Sequence, residues 1–116
     1  MSNGNGLDGL TLKDLARIYN AIAQRYEDVK KVSRFSDRKS AVAKIMALLK
    51  ETGDKVIRLL EPEYVKRGAA AARFPFYKDG MLASEYVELC KKDGHTVGHA
   101  KRDLRYDNVR GLIKLV

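Results

Sequence analysis

The chain has 116 residues, of which 45% are apolar and 33% charged, and its net charge is +8. That length allows one domain or two very small ones, and the apolar share is that of a folded chain, not a disordered one. The charge, with a sequence pI of about 9.7, is the footprint of a surface that attracts polyanions. A single cysteine, Cys90, excludes an intramolecular disulfide, and no apolar run is long enough to span a membrane. The first residues lack the basic and apolar regions of a signal peptide, so a cytoplasmic location is expected.

Residues 1–10 are rich in Gly, Asn and Ser and are expected to form a flexible tail. A first helix follows. Thr11 is its N-cap, Asp14 stands at the capping-box position, and Leu10 can staple against Leu15. Leu15, Ile18, Tyr19, Ile22 and Tyr26 recur along one helical face, with Arg17 and Arg25 falling elsewhere as solvated charges. Residues 27–34 break the period, and Val32 and Phe35 need a place to bury against the neighbouring helices. Ser36 or Asp37 caps a second helix whose inward stripe is Val42, Ile45, Met46 and Leu49, widened by Ala41 and Leu48. Gly53 is placed to end it in the left-handed conformation.

Val56-Ile57-Arg58-Leu59-Leu60 suits either a strand or a continued helix, and Pro62 ends it. The expected division is a helical hairpin over residues 11–60, a linker over residues 61–73 and a second unit over residues 74–116. The linker holds Lys66, Arg67, Gly68 and four alanines, read as linker or a short turn of helix. Phe74, Phe76 and Tyr77 form the densest aromatic patch, and Asp79-Gly80 reads as a turn. A helix over residues 84–92 then meets Asp93-Gly94, and Thr96 caps a second helix to about Tyr106. Val97, Ala100 and Leu104 are expected inward on it. Leu112-Ile113-Lys114-Leu115-Val116 ends the chain as a strand, with residues 74–77 its expected partner. The fold expected is therefore mainly α with a small β component: an N-terminal helical hairpin, then a winged-helix-like unit.

Two helices joined by a glycine turn, with basic residues on the second, is how a helix-turn-helix presents its recognition helix. Lys101, Arg102 and Arg105 are the residues expected to face DNA, holding phosphates or reaching guanine edges. Asp103 and Asp107 are expected to dilute that charge. Lys30, Lys31, Arg34, Arg38 and Lys39 surround the inter-helix turn and are expected to add phosphate contacts. The excess is spread along the chain: residues 1–60 carry 12 basic and 7 acidic side chains, residues 61–116 carry 11 and 8.

No catalytic residue is assigned, because the chain lacks a nucleophile elbow, a phosphate-cradling glycine loop and a metalloprotease helix signature. Cys90 lies on the apolar side of its helix, which makes it a core residue and not a nucleophile. Cys90, His95, His99 and Asp103 are close in sequence, but one local segment rarely closes a zinc site. No metal and no cofactor is expected. The partner expected is double-stranded DNA. A rival reading is a protein-interaction module, a small modulator of a host factor anchored by Phe74, Phe76 and Tyr77. RNA ranks third, since the sheet aromatics and glycine loop of common RNA modules are missing. The oligomeric state is left open.

The span from Asp79-Gly80-Met81 through Arg110-Gly111-Leu112-Ile113 resembles small winged helix-turn-helix modules. Leu15, Tyr19-Asn20, Val32-Ser33-Arg34-Phe35-Ser36-Asp37-Arg38 and Ala41-Val42 resemble a segment common in small phage and bacterial proteins. Together these resemblances imply a phage-derived, DNA-associated accessory or regulatory role.

Overall fold

The computed structural model describes residues 6–26, 30–32 and 34–116. The portions of the expected tail and of the expected break after the first helix that fall on residues 1–5, 27–29 and 33 lie outside the described residues. Helix accounts for 55% and strand for 7% of the described residues, so the chain is mainly α with a small β component. Two compact units divide between Lys55 and Val56, with Val116 joining the first.

The first unit is a pair of packed helices, α1 (Leu12–Arg25) and α2 (Arg38–Thr52). Thr11 opens α1 with a complete capping box: its hydroxyl accepts from the Asp14 N–H at 3.0 Å, and Asp14 accepts from the Thr11 N–H at 3.0 Å. Leu15, Ile18 and Ile22 are buried. Asp37, not Ser36, caps α2, accepting from the Lys39 and Ser40 amides at 3.1 Å each. Gly53 ends the helix at φ +78°, as its position predicts. Phe35 is buried and meets Tyr19 edge-on at 5.4 Å. The Asn20 carboxamide holds the segment before it, donating to the Val32 carbonyl at 2.7 Å and accepting from the Val32 N–H at 2.8 Å.

Part of the expected flexible tail is packed instead. Leu7 and Leu10 are buried. The Arg38 guanidinium reaches back from α2 and donates to the carbonyls of both, at 2.7 Å for Leu7. The two leucines supply the reason: a Gly-rich segment stays on a fold when its few large apolar groups find a core.

The second unit begins at Val56. Strand β1 (Ile57–Leu59) pairs antiparallel with β2 (Ile113–Leu115), setting Ile57 opposite Leu115 and Leu59 opposite Ile113. Arg58 faces Lys114 across the ladder, a like-charge pair that disfavours pairing. Asp79 offsets it by holding Arg58 at 2.8 Å while accepting from the Leu59 N–H at 3.0 Å. The sequence-based partner for β2 is thus corrected. Residues Phe74–Phe76 form a short 3-10 helix, with Pro75 unable to donate to a ladder. The domain boundary also differs from residues 61–73. Residues 56–60 fall in the second unit, with residues 57–59 in its sheet, and Lys66 and Arg73 are drawn into that unit by buried carboxylates.

Two further helices, α3 (Ala83–Lys92) and α4 (Val97–Val109), pack on each other and complete this unit. Its core holds Ile57, Phe74, Met81, Cys90, Leu104 and Ile113, with Tyr77 and Tyr86 stacked at 4.2 Å. The turn between α3 and α4 is a full Schellman motif. The His95 N–H donates to the Cys90 carbonyl at 2.9 Å and the Gly94 N–H to the Lys91 carbonyl at 3.1 Å, with Gly94 at φ +89°.

A Cβ on Gly94 would meet nothing within 4 Å, so its φ alone opposes substitution. Gly94→Ala is expected to destabilise the protein by about 1–2 kcal/mol in urea unfolding. Gly98, inside α4 with ordinary φ and ordinary contact to Thr96, behaves oppositely. Gly98→Ala is expected to stabilise by about 0.5–1 kcal/mol.

The Thr11 backbone N–H, and next its hydroxyl, hold the Asp14 carboxyl below the usual carboxylate range. Its folded pKa is depressed, so its contribution is complete above the ordinary value of 3.8 and is lost as pH falls through the folded pKa. Asp14→Asn should therefore lower stability by about 0.5 kcal/mol at neutral pH, the low end for an exposed charge at a helix N-terminus. The gap between variant and parent should close on acidification.

Candidate nucleic-acid interface

Helix α4 is organised by an unusual inward stripe. Ala100, Asp103, Leu104 and Asp107 follow the i, i+3, i+4, i+7 spacing and all four are buried. Half of that stripe is acidic. Carboxylates leave water only with compensating partners, and here each has a cation and a tyrosine. Arg73 grips Asp103 through two bonds, Nε at 2.6 Å and Nη2 at 3.1 Å, and the Tyr86 hydroxyl donates to Asp103 at 2.8 Å. Lys66 pairs with Asp107, and the Tyr77 hydroxyl donates to Asp107 at 2.7 Å. Burial first, then Asp107, pushes the Tyr77 hydroxyl far above its ordinary pKa; burial, then the neighbouring Tyr77, does the same to Tyr86. Both phenols stay protonated donors. The hydrogen bond to Asp103 raises the Arg73 pKa, so its charge is fixed as well.

This arrangement corrects the expectation that Asp103 and Asp107 dilute the basic helix. Both point inward and are matched there. Outward, Lys101, Arg102 and Arg105 are all exposed, with no ion-pair partner among the described residues. The outer face of α4 carries no acidic side chain. Val97, expected inward, is 38% exposed, because it lies at the first turn, beyond the reach of the core.

The N-terminal basic group divides. Lys30, Lys31, Arg34 and Lys39 are exposed. Arg38 is not available in the same way, since its guanidinium is bonded to the Leu7 and Leu10 carbonyls. Arg34 instead lines a cleft of about 410 Å³ with Lys13, Arg17, Asn20 and Phe35. Lys13, on the outer face of α1, was not singled out by sequence reasoning, and Arg17 was read only as a solvated charge; only their spacing on one helix side marks them.

A second cleft, also about 410 Å³, lies beside α4 within the second unit. Arg102, Tyr106 and Arg110 form one wall, at i, i+4 and i+8. Tyr64, Val65, Lys66 and Arg67 form the other. The Arg110 guanidinium sits 5.5 Å from the Tyr64 ring and 5.3 Å from the Tyr106 ring, and donates to the Tyr64 hydroxyl at 2.7 Å. Tyr64 and Tyr106 carried no signal in a linear reading and Arg67 was read only as a linker residue, because the fold alone brings residues 64–67 to α4.

Phe74 and Tyr77 are buried and Phe76 is half-buried, so the expected aromatic anchor for a protein partner is core. Cys90 is fully buried and its thiol is pushed up by burial. The His95 ring lies 3.2 Å from Asp93, 3.4 Å from Arg73 and edge-on to Phe76. Among the described residues, no three His, Cys, Asp or Glu side chains converge to hold a metal ion. No described helix is long and apolar enough to cross a membrane. Comparison with protein-family models, curated proteins and solved structures finds no match to this chain.

Replacing Asp103 by Asn leaves Arg73 buried without its counter-charge. Asp103→Asn is expected to lose about 3–5 kcal/mol in urea unfolding, the range for breaking one side of a buried ion pair. A loss below about 1 kcal/mol would mean that the pair does not hold α4 in place.

Proposed function

We propose that this protein is a non-enzymatic, cytoplasmic DNA-binding protein with an accessory or regulatory role, and that it lays the outer face of α4 against a duplex. One observation carries the reading: α4 turns both of its acidic residues inward and presents Lys101, Arg102 and Arg105 outward with no neutralising partner among the described residues. A glycine turn after α3 and a basic second helix are the parts of a helix-turn-helix. Unpaired cations along one helix face bind phosphates by releasing counterions, which requires no enzymatic group and no cofactor. Lys30, Lys31, Arg34 and Lys39 add phosphate contacts from the first unit in this reading. The winged helix-turn-helix resemblance points the same way.

A protein partner is the second reading. Val65 is 81% and Val109 79% exposed, and apolar side chains so placed suit an interface. Salt separates the two. Duplex binding should weaken steeply as salt rises, with a log–log slope of about −0.9 per phosphate contacted, whereas an apolar contact should be nearly insensitive.

The test is a fluorescence-anisotropy titration against random-sequence duplex at several salt concentrations, with single-stranded DNA and RNA as competitors. The Lys101→Ala, Arg105→Ala double variant should fold normally and reduce the salt slope by about 2, one for each lost phosphate contact. An unchanged slope and affinity in the folded variant would remove α4 from the interface. Preferential displacement by RNA would move the assignment from DNA to RNA.

A further inference from the structure

We infer that the cleft beside α4 is a subsite for one unpaired nucleotide of a strand that runs on from the duplex. The inference rests on the duplex reading above and extends it by a ligand class that a duplex alone does not supply.

The chemistry of the walls selects this occupant. Arg67 and Arg102 are exposed and have no ion-pair partner among the described residues. Arg110 is a third guanidinium, held at the wall by the two tyrosine rings and the Tyr64 hydroxyl. Planar fork donors suit phosphate oxygens better than point charges do. The acidic residue in the lining, Asp103, has its carboxylate engaged by Arg73 and Tyr86, so it does not oppose an anion at the mouth. Lys66 is matched by Asp107 and adds no free charge.

The cleft is also aromatic. Tyr106 is 55% and Tyr64 37% exposed, large values for tyrosines that flank a concave surface. An exposed ring beside a phosphate-binding guanidinium is the pairing by which single-stranded nucleic acid is held, backbone on cations and base on the ring. A volume of about 410 Å³ is of the size that accepts a small ligand unit, not a second helix. In a duplex the bases are stacked inside and cannot reach Tyr106; an unpaired nucleotide can. Arg102 lies on the cleft wall and on the outer face of α4, so a strand leaving the helix surface meets the cleft directly.

The experiment uses the full chain at low salt and compares a blunt duplex with the same duplex carrying short single-stranded tails at its 3′ or 5′ ends. The tailed duplex should bind about tenfold tighter, about 1.4 kcal/mol, within the range for stacking one base on an aromatic ring. Tyr106→Ala should remove that gain and leave blunt-duplex affinity unchanged; Lys101→Ala with Arg105→Ala should weaken both probes alike. Because Tyr106 is half exposed, its truncation should not disturb folding, and circular dichroism of the variant verifies this. Equal affinity for blunt and tailed probes, or an equal loss on both in Tyr106→Ala, overturns the subsite and leaves the duplex reading standing. Tight binding of the single strand through Tyr106 with no affinity for blunt duplex supports the subsite and overturns the duplex reading. Displacement of the tailed probe by polyglutamate as readily as by single-stranded oligonucleotide would assign the cleft to acidic peptide and overturn the inference.

Discussion

The burial of two carboxylates on one helix face controls the second unit. Asp103 and Asp107 cannot leave water alone; each needs a cation and a donor within hydrogen-bond range. Arg73 and Tyr86 meet the first need, Lys66 and Tyr77 the second. All four partners lie before α4 in the chain, so the network ties residues 66–77 and α3 to that helix. It also fixes the roll of α4. Any other rotation would expose the aspartates and strand Arg73 inside. A helix with a balanced composition thereby acquires an outer surface of one sign.

That polarity is what gives α4 its functional interest. A basic helix with its acids facing outward would present a mixed surface and bind phosphate weakly. Here the cations divide by environment. Those near the aspartates serve the fold, and those across the helix remain available. The same division occurs in the first unit, where Arg38 serves the backbone carbonyls of Leu7 and Leu10 while Arg34 lies in a cleft with Lys13 and Arg17.

Local signals were legible in the sequence. Thr11 with Asp14, Asp37 and Gly53 set helix ends by bonds within a few residues, and their chemistry is visible at that range. Gly94 likewise marks its turn. The β1–β2 ladder was not legible, because residues 57–59 and 113–115 pair across most of the unit and short apolar runs do not name their partner. The inward stripe of α4 did leave a trace: Ala100, Asp103, Leu104 and Asp107 share one face by spacing. Reading aspartate as outward by type overrode that geometry. The partners that make burial tolerable, Lys66, Arg73, Tyr77 and Tyr86, are distant in sequence, and only folding shows them to be matched. The cleft was illegible for the same reason, since Tyr64 and Arg67 meet Tyr106 and Arg110 only in three dimensions.

In the proposed reading, nucleic acid binds the acid-free face of α4. Amide chemical-shift mapping with a short duplex tests it most directly. Concentrated shifts are expected at Lys101, Arg102, Arg105 and their outward neighbours, with the amides of Ala100, Leu104 and the α3 core little changed. Saturable binding whose shifts lie elsewhere in the second unit and spare the outer face of α4 would contradict it.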